Sequence, residues 1–115
     1  MIKEEKMFSH EVRDWVLSVK LMGEIDHHSA VGVRSDIDAL IFEVRPRKIV
    51  LDLSEISFMD SSGLGLIMGR YALARDLGCA MTLRAPSVAV MKILSLAGME
   101  RMIKIEKDGG KNEDQ

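Results

Sequence analysis

Asp60-Ser61-Ser62-Gly63-Leu64-Gly65 is the stretch of this 115-residue chain whose residue types could do chemistry. Asp and Ser are favoured helix N-caps because their side-chain oxygens accept from the free N–H groups of the first turn. One such residue completes a cap, so three in a row are a surplus. The two glycines that follow each cost a helix roughly 1 kcal/mol relative to Ala. Their use would be to leave the helix start bare, so that another molecule can approach the backbone. A phosphate added to a serine here would lie by a helix N-terminus, where free N–H groups and the dipole favour an anion. The fold would tolerate it, while the outer surface gained about 1.5 to 2 negative charges beside Asp60. That is enough to repel a partner docked on a neutral serine. The pattern therefore suits a reversible binding switch, with Ser61 and Ser62 both open as acceptors on spacing alone.

Other chemistries fit these residues less well. A nucleophile elbow reads Gly-x-Ser-x-Gly, and neither Ser61 nor Ser62 has Gly two positions earlier. A serine hydrolase would also have to recruit His27 or His28 as its base. It stands as the enzymatic alternative, and no residue is assigned a catalytic role. His27 and His28 are adjacent, so on a helix they point about 100° apart and cannot form a zinc-binding pair. His10 is the third histidine, and no metal is expected. Gly63, Gly65 and Gly69 miss the dinucleotide-binding spacing by one residue, and no Gly-Lys-Ser/Thr loop occurs, so no cofactor is expected.

These residues need a scaffold, and the chain supplies one in alternating pieces. Residues 7–12 and 15–21 read as two strands, the second closed by Gly23. Asp26 stands at an N-cap position, followed by Ala30, Val33, Ile37, Leu40, Ile41 and Val44 at helical spacing. That predicts a helix over about 27–44, ended before Pro46. If its start lies beside that of the next helix, Asp26 comes near Ser61. Residues 48–53 form a strand whose run Ile49-Val50-Leu51 suits the interior of a sheet. A loop over 54–60 leads to a helix over about 61–77, closed by Gly78. A strand over 79–84, a helix over about 87–97 ended by Gly98, and a strand over 102–105 complete the order β-β-α-β-α-β-α-β. This is an α/β domain with a mixed sheet. The polar stretch 106–115 offers no side chain to anchor it and is expected to fray.

The helix over 61–77 carries two apolar stripes, Leu64-Ile67-Met68-Tyr71 and Leu66-Leu73-Leu77, where a surface helix normally has one. The third helix or a loop is expected to cover the second stripe, unless part of it stays open for a protein partner. Val88 and Leu96 fall off the main apolar face of the third helix and could extend such a patch.

Composition narrows the partners. At 115 residues the chain is one domain, burying roughly 60–70 % of its unfolded surface. A formal charge of −2 with interleaved signs gives no basic face for nucleic acid. The single cysteine allows no internal disulfide, and no run reaches the ~20 apolar residues of a membrane span. The charged start Met1-Ile2-Lys3-Glu4-Glu5-Lys6 is unlike a signal peptide. A reduced, cytoplasmic protein is expected.

The run Phe58 to Gly65, with Met68-Gly69-Arg70-Tyr71 after it and Gly23-Glu24-Ile25-Asp26-His27-His28 before the first helix, resembles the anti-sigma factor antagonists of the STAS domain family. The resemblance covers about residues 7–105 and implies a single STAS-like domain over 1–115. It implies that the unmodified protein binds an anti-sigma factor that is also a serine kinase, and so frees a sporulation sigma factor. That kinase would phosphorylate the first serine after the aspartate, Ser61, and a protein serine phosphatase would reverse the step. Asp26, Asp60, Ser62, Gly63 and Gly65 would form the phosphosite environment and partner-binding surface. The protein would then be a substrate and ligand, not an enzyme. An interaction domain of another pathway, such as general stress response or lipid transport, is the alternative within the fold. Where the family carries a further helix, this chain has Lys107-Asp108-Gly109-Gly110-Lys111.

Overall fold

The computed structural model describes residues 7–107. Its elements are β1 (Phe8–Arg13), β2 (Val16–Ile25), α1 (His27–Val44), β3 (Lys48–Met59), α2 (Ser61–Asp76), β4 (Ala80–Arg84), α3 (Val88–Leu96) and β5 (Lys104–Glu106), with a 3₁₀ turn at Met99–Arg101. The five strands form one sheet in chain order, β1 antiparallel to β2 and the others parallel. Each parallel step needs a long crossover, and α1, α2 and α3 supply the three. The mixed α/β order read from the sequence is the one observed.

β1 and β2 are joined by a two-residue hairpin at Asp14-Trp15, both with positive φ (52° and 65°). Turns of this kind match the twist of the strands they join. Trp15 thus sits exposed in the turn and not in the strand, which begins at Val16.

Two boundaries differ from expectation for one reason. Gly23 does not close β2; it lies at a register shift, with φ +80°, and the strand runs on to Ile25. The expected loop 54–60 is strand as far as Met59, because Met22–Ile25 pair with Glu55–Met59. The shifts replace the strand period of two by buried residues at Leu53, Ile56 and Met59, three apart. A period of three hides a strand from a search for alternation. At the far end, the 3₁₀ turn moves β5 to 104–106, so Glu106 is a paired strand residue. Of the expected tail, 108–115 lie outside the described residues.

The helices cover one sheet face, built from Leu17, Val19, Leu21, Ile49, Leu51, Leu53, Met81 and Leu83. α1 presents Val33, Ile37 and Ile41, one turn apart; α2 presents Leu66 and Ile67; α3 presents Val90 and Leu94. The other face carries the cross-strand row Lys20, Asp52, Arg84 and Glu106, alternating in charge. Opposite charges directly across strands are favourable.

The two stripes of α2 are resolved by α1. Leu66 of one stripe and Ile67 of the other are both buried, while Met68 and Leu77 remain exposed. The cover over Leu66 is α1, not α3 or a loop, since Ala30, Val31 and Arg34 line the same recess as Leu66. A buried ion pair joins the two helices. Arg70, 5 % exposed, approaches Asp38 with Nε–Oδ1 at 2.7 Å, and its Nη2 donates to Oδ2 at 3.2 Å. Nη1 donates back to the Leu66 carbonyl at 3.3 Å. Burial pushes the Arg70 pKa down; Asp38 opposes this, and neighbouring Arg34 adds to it. Arginine is ordinarily a surface residue, so its type does not mark Arg70 as buried.

Candidate functional site

β2 and β3 end in register at Ile25 and Met59, and the Asp60 N–H donates to the Ile25 carbonyl at 3.3 Å. α1 and α2 therefore start side by side at one end of the sheet. This is the arrangement needed to bring Asp26 and Ser61 into one region.

The two starts are capped differently. At α1, Asp26 Oδ1 accepts from the Ser29 N–H at 2.9 Å, and Ser29 Oγ accepts from the Asp26 N–H at 3.0 Å, a reciprocal capping box. The Ser29 backbone bond holds the Asp26 carboxyl below its ordinary value of 3.8, partial desolvation opposing and the Ser29 hydroxyl and His28 assisting. At α2, Asp60 Oδ1 accepts from the Ser62 N–H at 2.8 Å. Asp60 thus does the capping, and Ser61 is left as an exposed first helical residue whose hydroxyl enters no hydrogen bond among the described residues. Asp26 is committed to Ser29 and makes no hydrogen bond to Ser61.

The glycines divide. Gly63 was expected to bare the helix start, but it is buried, and a Cβ there would overlap Cγ and Sδ of Met59. Its missing side chain serves close packing between α2 and β3. Gly65 has nothing within 4 Å of a Cβ position and is exposed, so it alone keeps the surface open.

Two recesses flank the start of α2. One, of about 250 Å³, lies between α1 and α2 and is lined by His27, Val31, Arg34, Ser62 and Gly65. The other, of about 350 Å³, lies between α2 and α3 and is lined by Met59, Asp60, Ser61, Leu64, Ile93 and Leu96. Leu96 is 84 % exposed, and Phe58 and Met68 are also exposed. The site is thus a serine hydroxyl on the rim of an uncovered apolar cleft. Leu96 carried a signal in the sequence, as an apolar residue off its helix's main face. Ile93 carried none, because only folding brings it to Ser61. Among the described residues no group of three or more His, Cys, Asp or Glu side chains could hold a metal ion, and no helix is long and apolar enough to cross a membrane.

The family described as the STAS domain matches residues 8–111. The chain belongs to the STAS domain family. Within it, the chain is 40 % identical over 90 residues to an anti-sigma F factor antagonist of Paenibacillus polymyxa, covering 78 % of this chain and 77 % of that one. The structure of the anti-sigma factor antagonist SpoIIAA in its unphosphorylated form superposes with a TM-score of 0.74 at 30 % identity, covering 85 % of this chain and 86 % of that one. The Bacillus cell fate determinant SpoIIAA in the phosphorylated form gives a TM-score of 0.67 at 30 % identity, over 85 % of this STAS domain and 89 % of that chain.

Proposed function

We propose that this STAS domain is an anti-sigma factor antagonist that acts by binding and is switched off by phosphorylation of Ser61. The observation that carries the reading is the exposed, unbonded Ser61 hydroxyl at the first position of α2, beside the apolar cleft of Leu64, Ile93 and Leu96. The partner is an anti-sigma factor that is also a serine kinase, and its sequestration releases a sporulation sigma factor in the cytoplasm. The likeness to an anti-sigma F factor antagonist, and to SpoIIAA in both forms, supports this choice.

In the transfer step, Ser61 Oγ attacks the γ-phosphorus of ATP held by the kinase. The bond to the β–γ bridging oxygen breaks, ADP leaves, and the hydroxyl proton passes to the kinase's base. The new phosphate meets the free N–H groups of the first turn of α2, so the fold accepts it. A partner seated across Ser61 and the apolar cleft meets two adjacent negative groups, the phosphate and Asp60, and is released. Asp26, Ser62, Gly63 and Gly65 form the surroundings of this contact, Gly63 through packing from within. A protein serine phosphatase hydrolyses the phosphate and restores binding. This chain supplies no catalytic group.

The test is incubation with the cognate anti-sigma kinase and ATP, followed by mass spectrometry. One phosphoryl group is expected on Ser61, absent in Ser61→Ala. No phosphate together with no complex overturns the proposal. Modification confined to Ser62 would overturn the assignment of Ser61.

A further inference from the structure

A larger recess lies along α3, away from the α1–α2 side of Ser61. Its volume is about 790 Å³, within the range of roughly 300–1,000 Å³ typical of small-molecule sites. Ala85, Pro86, Val88 and Met91 give it apolar walls, and Lys92 and Lys107 stand at its rim. Val88 is 86 % exposed, so the apolar wall faces water and no other described element covers it. Val88, Met91, Lys92 and Ser95 follow at spacings of three, four and seven, which places them on one helix face over two turns.

The charged side chains that line this recess, Lys92 and Lys107, have one sign. Neither Lys92 nor Lys107 forms an ion pair among the described residues. Glu106, adjacent to Lys107 in the chain, is engaged by Lys48 at 3.4 Å. Two ammonium groups with no ion pair among the described residues, beside an apolar trough, complement a molecule with a long apolar body and one anionic end. A cationic amphiphile would meet like charge, and a fully polar ligand would leave the wall wet.

We propose that this groove binds a long-chain fatty carboxylate, its chain against Pro86, Val88 and Met91 and its carboxylate between Lys92 and Lys107. The site shares α3 with the recess beside Ser61 but no lining residue, and its test does not use the kinase.

The full chain, labelled with ¹⁵N, is titrated with sodium laurate below its micelle threshold and, in parallel, with dodecyltrimethylammonium, which has the same chain length and the opposite charge. Saturable amide shifts centred on 85–95 and Lys107 are expected with laurate and not with the cation. Lys92→Glu combined with Lys107→Glu should weaken laurate binding at least tenfold. Val88→Asp, at an exposed position where folding is not at stake, should do likewise. Equal binding of the two detergents, indifference to these substitutions, or no saturation below the micelle threshold would overturn the proposal. So would shifts centred on Leu51 and Leu83, which would mean that the chain dissolves in the core.

Discussion

The starts of α1 and α2 lie one hydrogen bond apart, and both are capped by aspartate, yet one is closed and the other open. The difference lies three residues beyond each cap. After Asp26 that position is Ser29, whose hydroxyl returns to the Asp26 N–H and closes the box. After Asp60 it is Gly63, which has no side chain to return and is packed on Met59. The Asp60 N–H is satisfied instead by the Ile25 carbonyl of the neighbouring strand. The first start is thus stabilised locally, whereas the second relies on the sheet. That frees Ser61 from any structural duty, and a residue with no structural duty can be modified without loss of the fold.

This contrast can be broken at several points. The largest effect is expected for Arg70→Met, which removes the ion pair joining the two helices. Breaking a buried pair costs about 3–5 kcal/mol, and partial exposure of Asp38 reduces this to about 2–3 kcal/mol. Urea denaturation measures it; a loss under about 1 kcal/mol would mean that the pair does not hold the two helices together. Gly63→Ala forces a methyl into Met59 and should cost about 2 kcal/mol, as overpacking does. An unchanged melting temperature would show that Met59 moves aside freely.

Asp26→Ala removes one arm of the closed start and should lower the melting temperature at neutral pH. The folded carboxyl titrates below its ordinary value of 3.8, so the stabilisation is present above that pH and is lost as the pH falls below it. The gap between wild type and Asp26→Ala should therefore close in acid; a constant gap from pH 7 to pH 3 would contradict the cause assigned to the shift. Gly65→Ala has open space for its methyl and should stabilise by about 0.5–1 kcal/mol, opposite in sign to Gly63→Ala. Two glycines of one helix moving stability in opposite directions would sharpen the distinction between the packed and the open face.

Ser61→Asp should change stability least, within about 0.5 kcal/mol, because an acidic residue in the first turn is favourable. Its affinity for the anti-sigma factor should nevertheless fall at least tenfold by calorimetry. Equal affinity for wild type and Ser61→Asp would remove charge repulsion as the switch.

Much of this was legible in the chain itself. The bounds of α1, its Asp26 cap, the turn at Gly78 and the order of elements all follow from signals a few residues long. So did the surplus of capping residues around Ser61 and the exposed positions of Val88 and Leu96. The extension of β3 to Met59 was not legible, because two register shifts opposite it in β2 destroy the alternation that marks a strand. Nor was Arg70, since burial of a charge depends on a partner 32 residues away.

The sequence alone thus determined which residues can cap, bend or carry a phosphate, since those properties belong to a side chain and its nearest neighbours. Only the tertiary structure decided which of them are left unoccupied. Pairing of Ile25 with Met59 set the two helix starts side by side, and packing on Met59 turned Gly63 inward. Folding of α3 brought Ile93 and Leu96 to Ser61. Each of these depends on contacts between segments far apart in the chain, so no local pattern records it.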